Sequence, residues 1–234
     1  MSGPNFPPLF HGTAVEGQTD PFVKACLEAV RGCESGLVVY NLASDRLAAA
    51  MVFSPDVPLK EAMVMLPICG VGFQNALGAL APPEVAVHLD WDGGLRINGA
   101  SCGHMKVAAS ASEPEEDVDW LVVGLDLPLW PESDNPGEFP ERTTLYAEGC
   151  ADVQADALLE SWVKHTLVGI NRWSDDGVQP LHQDWRGLAY GIGEDATIDS
   201  RTGTFLGVDE NFGMLLRDGD TTHLIPLTTL LEDR

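Results

Sequence analysis

The chain has 234 residues, 44% of them hydrophobic, which suffices for one large domain or a main domain with a small one and excludes wholesale disorder. Its 13 Lys and Arg stand against 36 Asp and Glu, a formal net charge of -23, which argues against nucleic acid or an anionic membrane as partner, since both call for a basic surface. The five cysteines, Cys26, Cys33, Cys69, Cys102 and Cys150, are odd in number and contain no CxxC pair, so they read as buried free thiols, with neither a disulfide framework nor a zinc site implied.

The first residues lack the basic-then-apolar order of a signal peptide, and no apolar run approaches the roughly 20 residues of a membrane helix, so a cytoplasmic protein is expected. Residues 19–32, TDPFVKACLEAVRG, open with a capping Thr-Asp and a Pro. They place Phe22, Val23, Cys26, Leu27 and Val30 at helical spacing. Residues 36–43 (GLVVYNLA) and 47–55 (LAAAMVFSP) read as strands, and residues 59–80 as a long apolar helix interrupted at Pro67. GVG at 70–72 lies inside that helix and so is no phosphate loop. Residues 85–91 and 95–99, with the segment after them, make strands around an Asp-Gly-Gly turn.

An acidic turn at 112–119 precedes a buried strand at 120–130, and the Pro-rich stretch 131–142 reads as a surface loop. Residues 152–173 form a helix whose buried side runs from Leu158 through Trp162 to Leu167. From about 187 onward, Gly-punctuated short strands predict a small barrel or curled sheet, with Phe205, Leu206, Leu215 and Leu216 buried in it. The fold class is therefore α/β (α+β): residues 1–185 as a domain of mixed sheet and packed helices, residues 186–234 as a small β module.

That order of elements, with several short motifs, resembles the biotin/lipoate A/B protein ligase family over nearly the whole chain. GQTDP (17–21) stands where the family has Ser-Thr-Asn. GLVV (36–39) matches a GxVV strand and AMVFSP (50–55) a strand ending in Pro. HLDWDGGLRINGASCGHM (88–105) takes the place of KWPND and the hairpin vnGrKlaGIL. Trp91 fits the tryptophan, Asn98-Gly99 the turn and Gly103 the later glycine. VVGLDLPL (122–129) sits at GIGIN, and residues 203–217 are similar to the family's SH3-like module. The resemblance implies a biotin-like, lipoate or octanoate ligand and a biotinyl or lipoyl carrier domain as partner. It also implies a site drawn from Thr19, Arg46, Trp91, Asn98, Gly99, Ala100, Cys102, Gly103 and Leu125. The amino-terminal DNA-binding domain of some members is expected to be absent.

The chain departs from the family at the residues that handle phosphate. The Gly-Arg loop that wraps the adenylate is replaced by NLASDRLAAA, with Arg46 as its one cation. Ala100 occupies the position of the hairpin lysine. Asp90 and Asp92 add negative charge, and Pro128 replaces the asparagine of GIGIN. Adenylation sets a carboxylate against a triphosphate, and both repel unless fixed cations are present. ATP and magnesium handling of the usual kind is therefore not expected, unless the acidic residues hold the metal.

Arg46, His104 and Lys106 are the remaining catalytic candidates. Lys106 lies about 20 Å from Ala100 by strand rise and reads as solvated. Cys102 and His104, as alternate residues on a strand, would share a face in the manner of a thiol with its base, although a small buried thiol is the simpler reading. Three readings stay open. The chain is a ligand-binding protein without the usual ATP-dependent reaction, a divergent ligase or acyltransferase acting on a carrier lysine, or an architectural relative whose pocket takes something else. Motif loss favours the first.

Overall fold

A computed structural model of the chain describes residues 3–131, 141–198 and 200–232. Most of the Pro-rich stretch 131–142 lies outside the described residues. The main sheet has seven strands: β1 (His11–Ala14), β2 (Leu37–Leu42), β3 (Arg46–Phe53), β4 (Val87–Leu89), β5 (Gly94–Ile97), β6 (Ala100–Ala109) and β7 (Leu121–Pro128). They are ordered β1-β2-β3-β7-β6-β5-β4, with β1 parallel to β2 and every other pairing antiparallel. The consecutive hydrophobics of β3 and β7 are buried from both faces, because helices cover the centre of the sheet on each side.

One face carries α1 (Pro21–Val30). Asp20 Oδ1 accepts a hydrogen bond from Phe22 N at 2.8 Å, and Pro21 takes the first helical position, where a missing N–H costs nothing. The buried side is Pro21, Phe22, Ala25 and Ala29, packed on Val39, Ala50, Val52 and Val122. Val23, Leu27 and Val30 face solvent instead, so the expected apolar stripe is the outer one. Small residues were chosen inward because α1 lies close to the sheet: a Cβ on Gly124 would stand 2.6 Å from the Phe22 ring.

The other face packs on α2 (Leu59–Ala62), α3 (Met65–Leu80) and α4 (Ala155–Asp176). The interruption falls at residues 63–64, ending three positions before the expected Pro67. A proline in a first turn lacks only an N–H that has no intrahelical partner there, so it begins α3 rather than breaking it. The span Leu59–Leu80 is 22 residues with a mean hydropathy of 1.5, so one stretch is long and apolar enough to cross a membrane, contrary to expectation. Of that window 72% is buried inside the protein, the position of a core helix. α3 and α4 approach closely because Gly72 lies against Thr166, where a Cβ would come within 2.9 Å of Oγ1. On α4, Leu158 and Trp162 are buried as expected, and Thr166 is the buried residue one position before Leu167.

Sequence reasoning missed α5 (Gln179–Leu188), whose signal is present in Leu181, Trp185 and Leu188 at i, i+4, i+7 after Pro180. Beyond it, β8 (Asp195–Ile198), β9 (Arg201–Val208), β10 (Met214–Asp218) and β11 (Thr221–Ile225) form a four-stranded antiparallel sheet, followed by a 3-10 turn. Phe205 and Leu216 are buried, but Leu206 is 39% exposed and Leu215 only half-buried. Leu215 points off the core side by plain alternation between buried Met214 and Leu216, while the slip opposite Leu215–Leu216 leaves Leu206 as the extra residue of β9. Phe205, Phe212, Met214, Leu216, Ile225 and Leu227 join the same apolar core as the main sheet's helix-covered side.

Candidate functional site

Two places compete for the role of site: the hairpin β4–β6 and the space beside the amino-terminal end of α1. The hairpin spends most of its polar groups on the rest of the chain and on itself. Trp91, 4% exposed, donates its indole N–H to Phe212 C=O at 2.7 Å, tying the main sheet to the terminal one. Asn98 Oδ1 accepts from Ala86 N at 2.9 Å while its amide nitrogen donates to Glu148 at 2.7 Å. Asn98 and Gly99 thus make the tight turn, with Ala100 opposite Ile97. Asp90, expected to burden a phosphate site, is held by Arg96 Nε at 2.8 and 3.0 Å, and Asp92 accepts from Gly94 N. Arg96 also lies over the Tyr190 ring, 4.2 Å from its centroid.

The decisive feature is a bulge in β6. Gly94 pairs with His104 and Arg96 with Ser101, so β6 spends one residue more than β5 over the same span. Gly103 sits in it at φ 142°, where a Cβ would stand 2.7 Å from Asp126 C=O. The extra residue reverses the alternation. Cys102 faces the same core as Met105, Val107 and Ala109, while Ala108 faces α1. The even-spacing expectation for Cys102 and His104 therefore fails: Cys102 is fully buried, and His104 is exposed on the far side. Burial, with Glu148 second, pushes the Cys102 thiol up to about 12, the opposite of an activated nucleophile. Cys69 is likewise raised by burial.

The same reversal carries Lys106 onto the α1 side. There a cavity of about 380 Å³ is lined by Gln18, Thr19, Asp20, Phe22, Asn41, Asp45, Arg46, Lys106, Leu125 and Asp126 among others. Volumes of about 300–1,000 Å³ are usual for small-molecule sites. Of the expected residues, Thr19, Arg46, Leu125 and Lys106 meet here. Trp91 and Cys102 are in the core, and Asn98, Gly99, Ala100, Gly103 and His104 do not line the cavity. Lys106, expected to be solvated, is two-thirds buried: Nζ lies 3.7 Å from Asp20 Oδ2 and 4.8 Å from the centroid of the Phe22 ring.

Arg46 opens β3 directly after the three-residue turn Ala43–Ser44–Asp45, which Ala43 N closes by donating to Arg46 C=O at 3.0 Å. Its guanidinium grips both oxygens of Asp126 on β7, and that hydrogen bond chiefly raises its pKa further above the usual arginine value. Asn41 completes the rim by donating to Gly17 C=O at 3.1 Å. Asp126 and Asn41 were not anticipated: each lies in a strand that reads as plain core, and only the pairing of β2, β3, β7 and β6 brings them together.

Residues 6–187 match the biotin/lipoate A/B protein ligase family, about three-quarters of the chain. The chain belongs to that family. Residues 192–233 match a domain of unknown function, DUF4444. The fold is shared with a biotin protein ligase-like protein of unknown function from Silicibacter sp. TM1040, at 63% identity and a TM-score of 0.93, covering 98% of this chain and 100% of that one. It is also shared with the biotin protein ligase of Aquifex aeolicus, crystallised with biotin and ATP, at 15% identity and a TM-score of 0.70, covering 92% and 95%. In sequence the chain is 22% identical over 176 residues to the bifunctional ligase/repressor BirA of Bacillus spizizenii. The match takes in 71% of this chain and 52% of that protein, so the chain spans about half the length of this relative.

Proposed function

We propose that this family member binds a small carboxylic acid of the biotin, lipoyl or octanoyl kind in the cavity beside α1, and that it does not run the usual ATP-dependent adenylation. The observation that carries this reading is the convergence of Lys106 and Arg46, from β6 and β3, on one cavity with apolar wall from Phe22 and Leu125. A ligand carboxylate would take Lys106 from Asp20, whose 3.7 Å contact is long for an ion pair. Against adenylation stand two features. Asp20, Asp45 and Asp126 outnumber Arg46 and Lys106 there, three charges against two, before any phosphate arrives. The turn Ala43–Asp45 has only three residues, too few to fold over a nucleotide.

The test pairs binding with chemistry. Biotin, lipoate or octanoate should raise the melting temperature, by the equivalent of about 2.7 kcal/mol at a hundredfold excess over Kd. None should support pyrophosphate exchange with ATP and magnesium. Exchange above background that disappears in Lys106→Ala or Arg46→Ala would establish the second reading, a divergent ligase or acyltransferase modifying a carrier lysine. That reading is favoured by Lys106, which restores a lysine to the site from a different strand position. We assign the carboxy-terminal residues from 186 on, which begin in the last turn of α5 and share the main core, to an SH3-like module, and the protein to the cytoplasm.

A further inference from the structure

We propose that the acid selected by the cavity beside α1 also carries a protonated amine, at the end opposite its carboxylate. The ligand is then an ω-amino acid of medium chain length, with its carboxylate on Lys106 and its ammonium on Asp45. This rests on the acid-binding reading of the cavity and adds the second charge of the ligand. Three carboxylates, Asp20, Asp45 and Asp126, face two cations, Arg46 and Lys106, so the lining carries one net negative charge. A plain monocarboxylate would raise that to two, and like charges at short range oppose binding. An ω-ammonium brings its own countercharge.

The charges are also sorted in space. Lys106 stands at the amino-terminal end of α1, where the helix adds partial positive charge of its own, and its 3.7 Å contact with Asp20 is loose. At the other end both oxygens of Asp126 are held by Arg46. Asp45 remains. Its backbone C=O accepts from Leu129 N at 2.7 Å, and its carboxylate makes no hydrogen bond or ion pair among the described residues. Lys106 is level with Gly124 of β7 and Ala50 of β3, so Asp45 lies two strands across and five residues along, about 20 Å between Cα positions. The two side chains occupy part of that span, and the rest is too long for an α-amino acid, whose charges stand on one carbon. Between the two ends the lining includes Ala48, Ala49 and Leu125, small or apolar residues that suit a methylene chain.

Isothermal titration calorimetry of the full chain compares octanoate, 8-aminooctanoate and octylamine. It is run at about pH 7.5, where carboxylate and amine are both ionised, and at about 20 mM salt, where exposed charges are little screened. 8-Aminooctanoate should bind at least about threefold more tightly than octanoate, within the range of one exposed ion pair. Octylamine, which leaves Lys106 without a carboxylate, should bind more weakly than 8-aminooctanoate by a similar factor. Asp45 is exposed, so Asp45→Asn should fold as the parent does. That variant should weaken 8-aminooctanoate and tighten octanoate, a crossing that loss of structure would not produce. Octanoate binding as tightly as 8-aminooctanoate, or a preference that survives Asp45→Asn, would overturn the ω-amine and leave the acid-binding reading standing. Binding of neither acid would overturn both.

Discussion

The hairpin β4–β6 and the cavity beside α1 contain similar residue types but use them differently. In the hairpin Trp91 ends on Phe212, Asp90 on Arg96, and Asn98 on Ala86 and Glu148, with buried His88 Nδ1 of β4 the exception, lacking a hydrogen-bond partner among the described residues. In the cavity the charged groups border open space: Arg46 is paired with Asp126, while Lys106 has a long contact to Asp20 and lies over the Phe22 ring. A buried polar group must be partnered, so saturation marks a structural role. Charges held by one loose partner at the wall of a void are the ones a ligand can recruit.

Thiol labelling should give the widest separation between the two. With its pKa near 12 against an ordinary value of 9.0, Cys102 should react with iodoacetamide at pH 8 about a thousandfold more slowly than an unshifted thiol, before loss of access is counted. Rapid native-state alkylation of Cys102, mapped by peptide mass spectrometry, would reopen the hairpin as a reactive site. Next in size, Trp91→Ala should cost about 3–5 kcal/mol in chemical unfolding, since it empties core volume and orphans Phe212 C=O. A loss below about 1 kcal/mol would break the assignment of Trp91 to structure.

Gly103→Val should cost about 1–3 kcal/mol through its left-handed backbone and the close Asp126 carbonyl, and should also abolish any acid-induced thermal shift, because the bulge aims Lys106. Lys106→Ala, whose ion pair is long, and Arg46→Ala, whose pair is exposed, should change stability by no more than about 1 kcal/mol while removing the thermal shift given by the acid. That separation of stability from binding is what the cavity reading demands and the hairpin residues should not show. The smallest effect lies away from both. Partial burial, with Lys164 second, lowers the pKa of His165, so the unfolded chain takes up its proton first. Stability should therefore decline slightly as pH falls below about 6.5, and His165→Gln should flatten that part of a pH–stability curve.

Much of this protein was legible from local pattern. Asp20-Pro21 fixed the start of α1, the apolar runs of β2, β3 and β7 fixed three central strands, and ordered motifs from residue 17 to 217 carried the family resemblance. These are short-range properties: a cap, a period and a turn are each written in a few adjacent residues. Three decisions were not local. Which apolar side of α1 turns inward depends on how near the sheet comes, so Ala25 and Ala29 were buried and Val23, Leu27 and Val30 left outside. Which way Lys106 points depends on one extra residue in β6 against β5, and a strand reverses every later side chain when its count shifts by one. And Asp126 became a site residue because strand pairing set it beside Arg46, 80 positions away in the chain, a distance that no local period can span.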